Sequence, residues 1–220
     1  MRQLRLIGGN IIASSDKGDA ISGNDITING GNITAKGGEY GGAICTNNEL
    51  IINGGKINLR AYNRWASSTL GGKAKRIMIN GGTVFTNSAQ LAGISCGSIG
   101  KIIINGGNIF SKGKDFSLAR CINDVRYDIE GANATNDTDD LYETQIKLQG
   151  TEKDKQVTRL TTSDNINYGI KDMYTLEEGM LYLYLPLGTR TINVEVEGNT
   201  YTGTVETKET AEVVTLNKVN

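Results

Sequence analysis

The sequence predicts an all-β protein, with a right-handed parallel β-helix of about six coils over residues 1–136 and a small antiparallel β-sandwich over residues 137–220. The first observation is a motif, Ile-Asn-Gly-Gly, that recurs every 24 to 27 residues, or every 22 to 27 when the eroded copies at both ends are included, a period typical of solenoids. The second is a set of short apolar runs with strand-like alternation around each copy. The third is a change near residue 141, where glycine becomes scarce and strands of ordinary length begin.

The glycine pair marks the same point in every repeat. Its first glycine stands at positions 8, 30, 54, 81 and 106, and an eroded sixth copy, Ile129–Ala132, places Gly131 there. Apolar residues two and four positions earlier, and three positions later, alternate as in strands with one buried face. A third apolar position follows, which predicts about three short strands per coil. Glycine pairs turn the chain sharply because glycine reaches positive φ without a Cβ clash.

An asparagine precedes each intact glycine pair after the first, and the stacking of coils predicts that these side chains form a ladder. Asparagine tolerates turn conformations and hydrogen-bonds to nearby backbone, so a structural role explains its recurrence. The residues are Asn29, Asn53, Asn80 and Asn105.

Three cysteines share one offset from the glycine pair. Cys45, Cys96 and Cys121 each stand fifteen residues after the first glycine of their repeat, which predicts one column of small, buried, reduced thiols. Side chains on neighbouring parallel strands run alongside each other, whereas a disulfide needs a particular dihedral. The chain has no histidine and no Cys-x-x-Cys motif, so neither a zinc site nor a histidine-based triad is expected.

Composition argues against several classes of partner. With 23 basic and 24 acidic residues the net charge is −1, so we expect no nucleic-acid partner, and no apolar run is long enough for membrane insertion. No signal peptide is visible, and the chain enters its first coil at Leu4 without the cap that solenoids need. We therefore expect a fragment of a longer exported protein, extracellular or at the cell surface, with the export signal outside this fragment.

The ligand-binding candidates lie in the extra residues of the longest repeat. They are Arg60, Tyr62, Arg64 and Trp65. Insertions in repeat proteins map to loops on one face, often the binding face. Aromatic faces stack on sugar rings, and arginine pairs with the carboxylates of acidic sugars. The alternative is a loop whose Trp65 packs on the solenoid wall. No catalytic residue and no metal ligand is predicted.

Two outward stripes of apolar residues predict contact surfaces. One consists of Ile51, Met78 and Ile103, and the other of Phe85 and Phe110. Apolar patches on an outer face usually mark interfaces, here with the C-terminal domain or a neighbouring chain.

An acidic linker over residues 131–140 ends the repeats. Its Asp137, Asp139 and Asp140 could bind calcium, which takes several oxygen ligands, but their spacing is not that of an EF-hand and a solvated linker is the favoured interpretation. No other cofactor is predicted.

The repeats over residues 4–134 resemble the Ile-x-Ile-x-Gly-Gly-x-Ile repeats of exported bacterial right-handed β-helix proteins, some of them known as carbohydrate-binding-domain proteins and related in shape to polysaccharide lyases. The segments Gly179–Gly188 and Tyr201–Val205 are similar to immunoglobulin-like or collagen-adhesin-B-like modules of bacterial surface proteins. The resemblance implies the fold, and no functional residue is carried over from either family.

The leading interpretation is a non-catalytic module of a bacterial cell-surface or secreted protein, a rigid β-helix rod that binds a glycan or a host protein. One alternative is a polysaccharide lyase or hydrolase. Among its corner carboxylates only Glu39 and Asp115 share an offset, and they lie about 14 Å apart across three coils. Two carboxylates converging with Arg60 or Arg64 in a groove would favour the enzyme. The other alternative is a structural shaft, such as a phage tail-fibre segment, whose trimer buries the Ile51 stripe.

Overall fold

The computed structural model describes residues 3–62, 69–122, 125–128, 132–133 and 140–219. These residues form 21 β-strands and one short 3₁₀ helix, Glu177–Gly179. Up to residue 122, each strand pairs in parallel with a strand one repeat away, so the predicted parallel β-helix is confirmed. Nothing in the described part of the chain is a helix long and apolar enough to cross a membrane.

Each coil has three faces, defined by their position relative to the glycine pair. Face 1 precedes the pair and holds β1 (Gln3–Leu6), the later parts of β3 (Ile21–Ile28) and β5 (Ile44–Ile52), β8 (Arg76–Ile79), β11 (Lys101–Ile104) and β15 (Ala132–Asn133). Face 2 follows the pair and holds β2 (Asn10–Ser14), β4 (Asn32–Gly37), β6 (Lys56–Ala61), β9 (Thr83–Ser88) and β12 (Asn108–Lys112). Face 3 holds the first parts of β3 and β5, then β7 (Leu70–Gly72), β10 (Ala92–Cys96), β13 (Phe116–Ile122) and β14 (Val125–Asp128).

The core of the solenoid consists of stacked columns of Ile, Leu and Val. On face 1, for example, Ile26, Leu50, Ile77 and Ile102 align across four consecutive coils, and all four are buried. Because side chains alternate in a strand, the residues between them point outward. The predicted asparagine ladder is confirmed beside this core. Nδ2 of Asn53, Asn80 and Asn105 donates to Oδ1 of the asparagine one coil earlier, at 2.7 to 2.8 Å.

The second glycine of each pair adopts the positive φ that a left-handed turn requires. The angles are 85° at Gly9, 93° at Gly31, 104° at Gly55, 97° at Gly82 and 100° at Gly107. In the eroded sixth copy this position is Ala132, which disfavours such a turn. The prediction of a sixth coil is accordingly wrong in part. β14 turns back antiparallel to β13, and the sixth copy contributes only the two-residue β15 to face 1.

The predicted cysteine column is wrong in register. Ser22, Cys45 and Gly71 align in one column, but the next member is Ser95 rather than Cys96, because Leu70 pairs with Ile94. Cys96 is buried one position later, with Sγ 3.9 Å from the Ala119 carbonyl oxygen. The loops between faces 2 and 3 differ in length, so an offset counted from the glycine pair is not preserved on face 3.

The outward apolar stripe of face 1 is present as a column. Ile51 and Met78 are half-buried, and Ile103, one coil further, is 9% exposed. Its use as a trimer interface stays a prediction.

Residues 140–219, the C-terminal part, are also all-β and enclose a second apolar core. Its strands are β16 (Asp140–Leu148), β17 (Val157–Thr162), β18 (Met180–Leu185), β19 (Gly188–Val196), β20 (Asn199–Thr207) and β21 (Val213–Lys218). One sheet has the order β18-β16-β21 and the other β17-β19-β20-β21, so β21 belongs to both. All pairs are antiparallel except β16 with β21. The predicted boundary at residues 136 and 137 lies outside the described residues, and the immunoglobulin likeness stays a prediction.

The C-terminal part is joined to the solenoid by a continuous sheet. β15 pairs in parallel with β11 and antiparallel with β16, so face 1 runs on into the C-terminal part. On face 2, the buried side chain of Asn108 closes the contact. Its Nδ2 donates to the Tyr174 and Met180 carbonyl oxygens at 2.8 and 3.0 Å, and its Oδ1 accepts from Tyr182 N at 2.7 Å.

A loop of the C-terminal part, residues 168–174, lies along the row of glycine pairs, and we call it the clip. Gly107 N donates to the Gly169 carbonyl oxygen at 2.8 Å, and Gly82 N to that of Lys171 at 2.6 Å. Gly55 N donates to Asp172 Oδ2 at 3.0 Å. In the third to fifth coils, the positive-φ corner therefore donates a backbone N–H hydrogen bond to the clip.

The first glycine of the pairs in the third to fifth coils allows this approach, because a side chain there would enter the clip. A Cβ on Gly54 would lie 2.5 Å from Asp172 Oδ2, and one on Gly81 would lie 2.9 Å from the Lys171 carbonyl oxygen. A Cβ on Gly8, in the first coil, would have nothing within 4 Å. The two glycines of the motif thus have separate roles, since one shapes the turn and the other admits the clip.

Glu143 lies on β16, the strand that joins the C-terminal part to face 1, and its side chain is half-buried. Burial raises its pKa above 4.5, although hydrogen bonds with Gln145 and Tyr184 oppose the shift. A raised carboxyl pKa favours the protonated folded state. The resulting stability is fully present below the unfolded pKa and is lost as pH rises through the folded pKa.

We therefore expect Glu143→Gln to raise the melting temperature by a few degrees at neutral pH, because the neutral amide avoids the cost of ionising a buried carboxyl. The gain should disappear as pH falls below about 4.5. Thermal unfolding of both proteins across this pH range measures it. A gain that is the same at every pH would contradict the assignment to ionisation.

Candidate functional site

A groove of about 670 Å³ runs between the outer surface of face 2 and the edge of the C-terminal part. Strand alternation and parallel register place the outward side chains of face 2 in three columns. These columns are Asn10-Asn32-Lys56-Thr83-Asn108, Ile12-Thr34-Asn58-Phe85-Phe110 and Ser14-Lys36-Arg60-Asn87-Lys112. The opposite wall includes Lys153, Asp154, Leu176, Glu177, Met180 and Tyr182.

The groove has an aromatic end. Phe85 and Phe110 stack with ring centroids 4.9 Å apart and an interplanar angle of 14°. Tyr182 meets Phe110 edge-on, at 5.0 Å and 72°. Phe110 therefore contacts both other rings, while Phe85 borders Asn58 of the preceding coil in the same column. Both phenylalanine side chains are half-buried. The stripe of Phe85 and Phe110 was predicted to contact the C-terminal domain or a neighbouring chain, and Phe110 contacts Tyr182 of the C-terminal part.

The charges of the groove are distributed unevenly between its walls. The five strands of face 2, all of them described, carry four cations and no carboxylate. Lys56 and Arg60 line the groove, and Lys36 and Lys112 lie on the same face outside its lining. The opposite wall supplies both carboxylates. Asp154 pairs with Lys56 at 3.1 Å, and Glu177 pairs with Lys153 at 2.6 Å.

Two of these groups are held in one protonation state. The hydrogen bond to Glu177 raises the pKa of Lys153, so this amine stays charged. Burial, and then the charge of Glu143, raise the pKa of Tyr182, so its hydroxyl stays neutral and can donate a hydrogen bond. Lys56 also lies over the ring of Tyr174, with Nζ 3.8 Å from the centroid.

The four predicted ligand residues have different outcomes. Arg60 lines the groove, and within the described part of the chain it forms no ion pair. Tyr62, 57% exposed, follows the end of β6, and Lys36 Nζ lies 5.1 Å from its ring centroid. Arg64 and Trp65 lie outside the described residues. A binding role for these four stays a prediction.

Several other residues that line the groove were not predicted from the sequence. Lys56 and Asn58 alternate with buried residues in the same strand as Arg60, and this period-two pattern could have placed all three on one surface. Tyr182 and Glu177 carried no such signal, because only docking of the C-terminal part brings them to face 2.

The described residues contain no group of three or more His, Cys, Asp or Glu side chains that could hold a metal ion. The calcium prediction concerns other residues. Asp137 and Asp139 lie outside the described part of the chain, and Asp140 is described by its backbone alone. That prediction is therefore neither confirmed nor contradicted.

The likeness to exported bacterial β-helix proteins and surface modules also stays a prediction beyond the fold. Comparison of the chain with models of protein families, with curated proteins and with solved structures finds no match in any of the three.

Proposed function

We propose that the protein is a non-catalytic binding module whose groove takes a carbohydrate chain. The observation that carries the proposal is the groove itself, which the half-buried ring of Phe85 lines together with Asn58 and Arg60. An apolar ring face suits the C–H side of a sugar, and amide and guanidinium groups suit its hydroxyls. Sites of this kind combine aromatic contact with a few placed polar groups.

The shape of the groove supports an extended ligand rather than a compact one. Its floor repeats along the solenoid axis, because each column presents one side chain per coil at intervals of about 4.8 Å. Thr34, Asn58 and Phe85 offer three successive positions of one column. A polymer lying along the axis meets a new set of side chains at each coil.

A location on the surface of a bacterial cell, or in its secretions, is part of the same proposal and rests on the resemblance of the repeats alone. An adhesin-like role toward a host protein is the competing form of the binding hypothesis. The ligand screen below separates the two, because a protein-binding module would leave every glycan unbound.

We expect Phe85→Ala to weaken glycan binding by about tenfold, the loss of roughly 1.4 kcal/mol of ring contact. Binding is found on a glycan array and then measured by titration calorimetry. Ile12→Ala is the matched control, because Ile12 belongs to the same column but is 88% exposed in the first coil, away from the groove. Equal melting temperatures exclude misfolding. Absence of binding to any glycan, or equal affinities of the two variants, would overturn the proposal.

Polysaccharide cleavage remains a second candidate, because Asp154 and Glu177 line the groove together with Arg60. Both carboxylates are paired with lysines, however, and Lys153 is unsuited to act as a base because its pKa is raised. An assay for new reducing ends and for unsaturated uronates, on any glycan that binds, tests this candidate. Cleavage that Asp154→Asn or Glu177→Gln abolishes would replace the binding module with an enzyme.

A further inference from the structure

The net charge of −1 conceals two segments of opposite charge. Residues 51–122 contain ten Lys and Arg and one acidic residue, Asp115, a net charge of +9. Residues 123–220 contain nine Lys and Arg and eighteen Asp and Glu, a net charge of −9. The third to fifth coils are therefore strongly basic, and such asymmetry indicates an anionic partner that the total charge does not reveal.

Part of this positive charge forms a column on face 2. Arg60 lines the groove, and Lys36 and Lys112 lie just outside it on strands that also contribute lining residues. Lys36, Arg60 and Lys112 belong to one outward column and are all exposed, with Asn87 between the last two. Lys36 and Arg60 are on adjacent strands, and Lys112 lies two strands beyond Arg60, which places cations about 5 and 10 Å apart along the axis. This spacing suits a polymer with anionic groups at regular intervals.

The carboxylates of the groove do not cancel this column. Asp154 and Glu177 are already paired with Lys56 and Lys153, one cation for each carboxylate. The column of Lys36, Arg60 and Lys112 forms no ion pair with any described residue. Its charge is available to a ligand.

We infer that the ligand of the groove is an acidic polysaccharide, whose carboxylate or sulfate groups pair with Lys36, Arg60 and Lys112 while a sugar ring stacks on Phe85. This inference rests on the proposed function and adds the chemical class of the glycan. Arginine supports the assignment, because its planar fork matches a carboxylate or sulfate with two parallel hydrogen bonds.

A single-stranded nucleic acid is also a regular polyanion, but the aromatic side chains fit it less well. Proteins that bind single strands stack successive bases on separate aromatic rings. Here one face of Phe110 is covered by Phe85, and Tyr182 meets Phe110 with its edge. The three rings thus form one cluster rather than a row of separate stacking platforms, which suits one sugar ring beside several polar groups.

The test uses the complete chain and four polymers: polygalacturonate, its carboxyl-reduced neutral form, a sulfated glycan and poly(dT). Affinities are measured by calorimetry from about 50 to about 300 mM NaCl, the range over which screening changes most for exposed charges. We expect binding to one of the two acidic glycans to be at least tenfold tighter than to the neutral form, and to weaken with salt. Which acidic glycan binds distinguishes carboxylate from sulfate recognition.

The key variant is Arg60→Gln with Lys112→Gln, and its matched control is Lys75→Gln with Lys101→Gln, which removes the same charge from exposed positions off face 2. We expect the first to lose about tenfold in affinity for the acidic glycan with a shallower salt dependence, and the second to lose less than about twofold. Equal losses in both would overturn the column assignment.

The remaining outcomes separate the two proposals. Neutral and acidic glycans bound equally, with Phe85→Ala still weakening both, would overturn the acidic class and leave the glycan module standing. Tightest binding to poly(dT) would overturn both in favour of a nucleic-acid ligand. No binding to any of the four polymers, together with an empty glycan array, would also overturn both.

Discussion

Replacing Gly106 with alanine is expected to cost about 3 kcal/mol of unfolding free energy and to detach the clip from the solenoid. A Cβ at this position would overlap the carbonyl oxygen and Cα of Gly169. Both atoms belong to the backbone, so no rotamer change relieves the overlap. The hydrogen bonds from Gly107 N to Gly169 O and from Gly169 N to Asn105 O, each 2.8 Å, would be lost with the contact.

Gly8→Ala is the matched control for this prediction. Gly8 holds the same position of the motif in the first coil, but a Cβ there would meet nothing within 4 Å. Urea unfolding measures both variants, and limited proteolysis of the clip reports whether it has detached. We expect Gly8→Ala to lie within about 0.5 kcal/mol of the wild type. Similar losses in both variants would mean that the first glycine serves the turn rather than the clip.

Arg190→Ala is expected to destabilise the C-terminal part by about 3 kcal/mol, because Arg190 connects three segments from a buried position. Its side chain is 3% exposed. Nε donates to Asp164 Oδ2 at 2.8 Å, Nη1 to Thr207 Oγ1 at 2.8 Å and Nη2 to the Pro186 carbonyl oxygen at 2.9 Å. The variant would leave a cavity and deprive all three acceptors of their donor.

The control for Arg190 is Arg159→Ala. Arg159 pairs with Glu195 at 3.1 Å, but its side chain is 66% exposed, and exposed pairs contribute less than about 1 kcal/mol. Calorimetric unfolding should therefore show a large loss of stability for Arg190→Ala and almost none for Arg159→Ala. Comparable losses would show that burial does not decide the contribution of these arginines.

The contact between Arg190 and Asp164 also makes the stability of the C-terminal part depend on pH. Burial pushes the pKa of Asp164 upward, but the hydrogen bonds from Arg190 and Thr162 and the arginine charge outweigh it, so the pKa lies below 3.8. The stabilisation is present above the unfolded pKa and is lost as pH falls through the folded pKa. The difference in unfolding free energy between the wild type and Arg190→Ala should consequently become smaller below about pH 4.

Much of the solenoid could be predicted because its physics is local and repeated. The period fixed the stacking, and the alternation on faces 1 and 2 identified the buried columns. Asn29, Asn53, Asn80 and Asn105 formed the expected ladder because a side chain at a constant offset from the glycine pair returns to the same place in each coil. The prediction for face 3 was less accurate, as the register of Cys96 shows, because the loop that precedes this face varies in length from coil to coil.

The clip could not be predicted from the sequence. Residues 168–174 show no period and no strand alternation, and their place against the glycine pairs depends on how two folded parts meet. For the same reason Tyr182 was not predicted as a groove residue, although strands of ordinary length were expected in this part of the chain and Met180–Leu185 is one of them. The charge of the groove was missed for a different reason, since a total over the whole chain averages the basic coils with the acidic C-terminal part.

The clip has a consequence for the length of the rod. Its contacts run from the Gly107 corner back to the Asn29 carbonyl oxygen, which accepts from Lys171 Nζ at 3.0 Å, and the first coil takes no part in these contacts. Coils added ahead of the first would extend the rod by about 4.8 Å each without disturbing the junction. The number of coils at the N-terminal end can thus change while the junction with the C-terminal part stays the same. This independence suits the protein to the design of rigid spacers of chosen length.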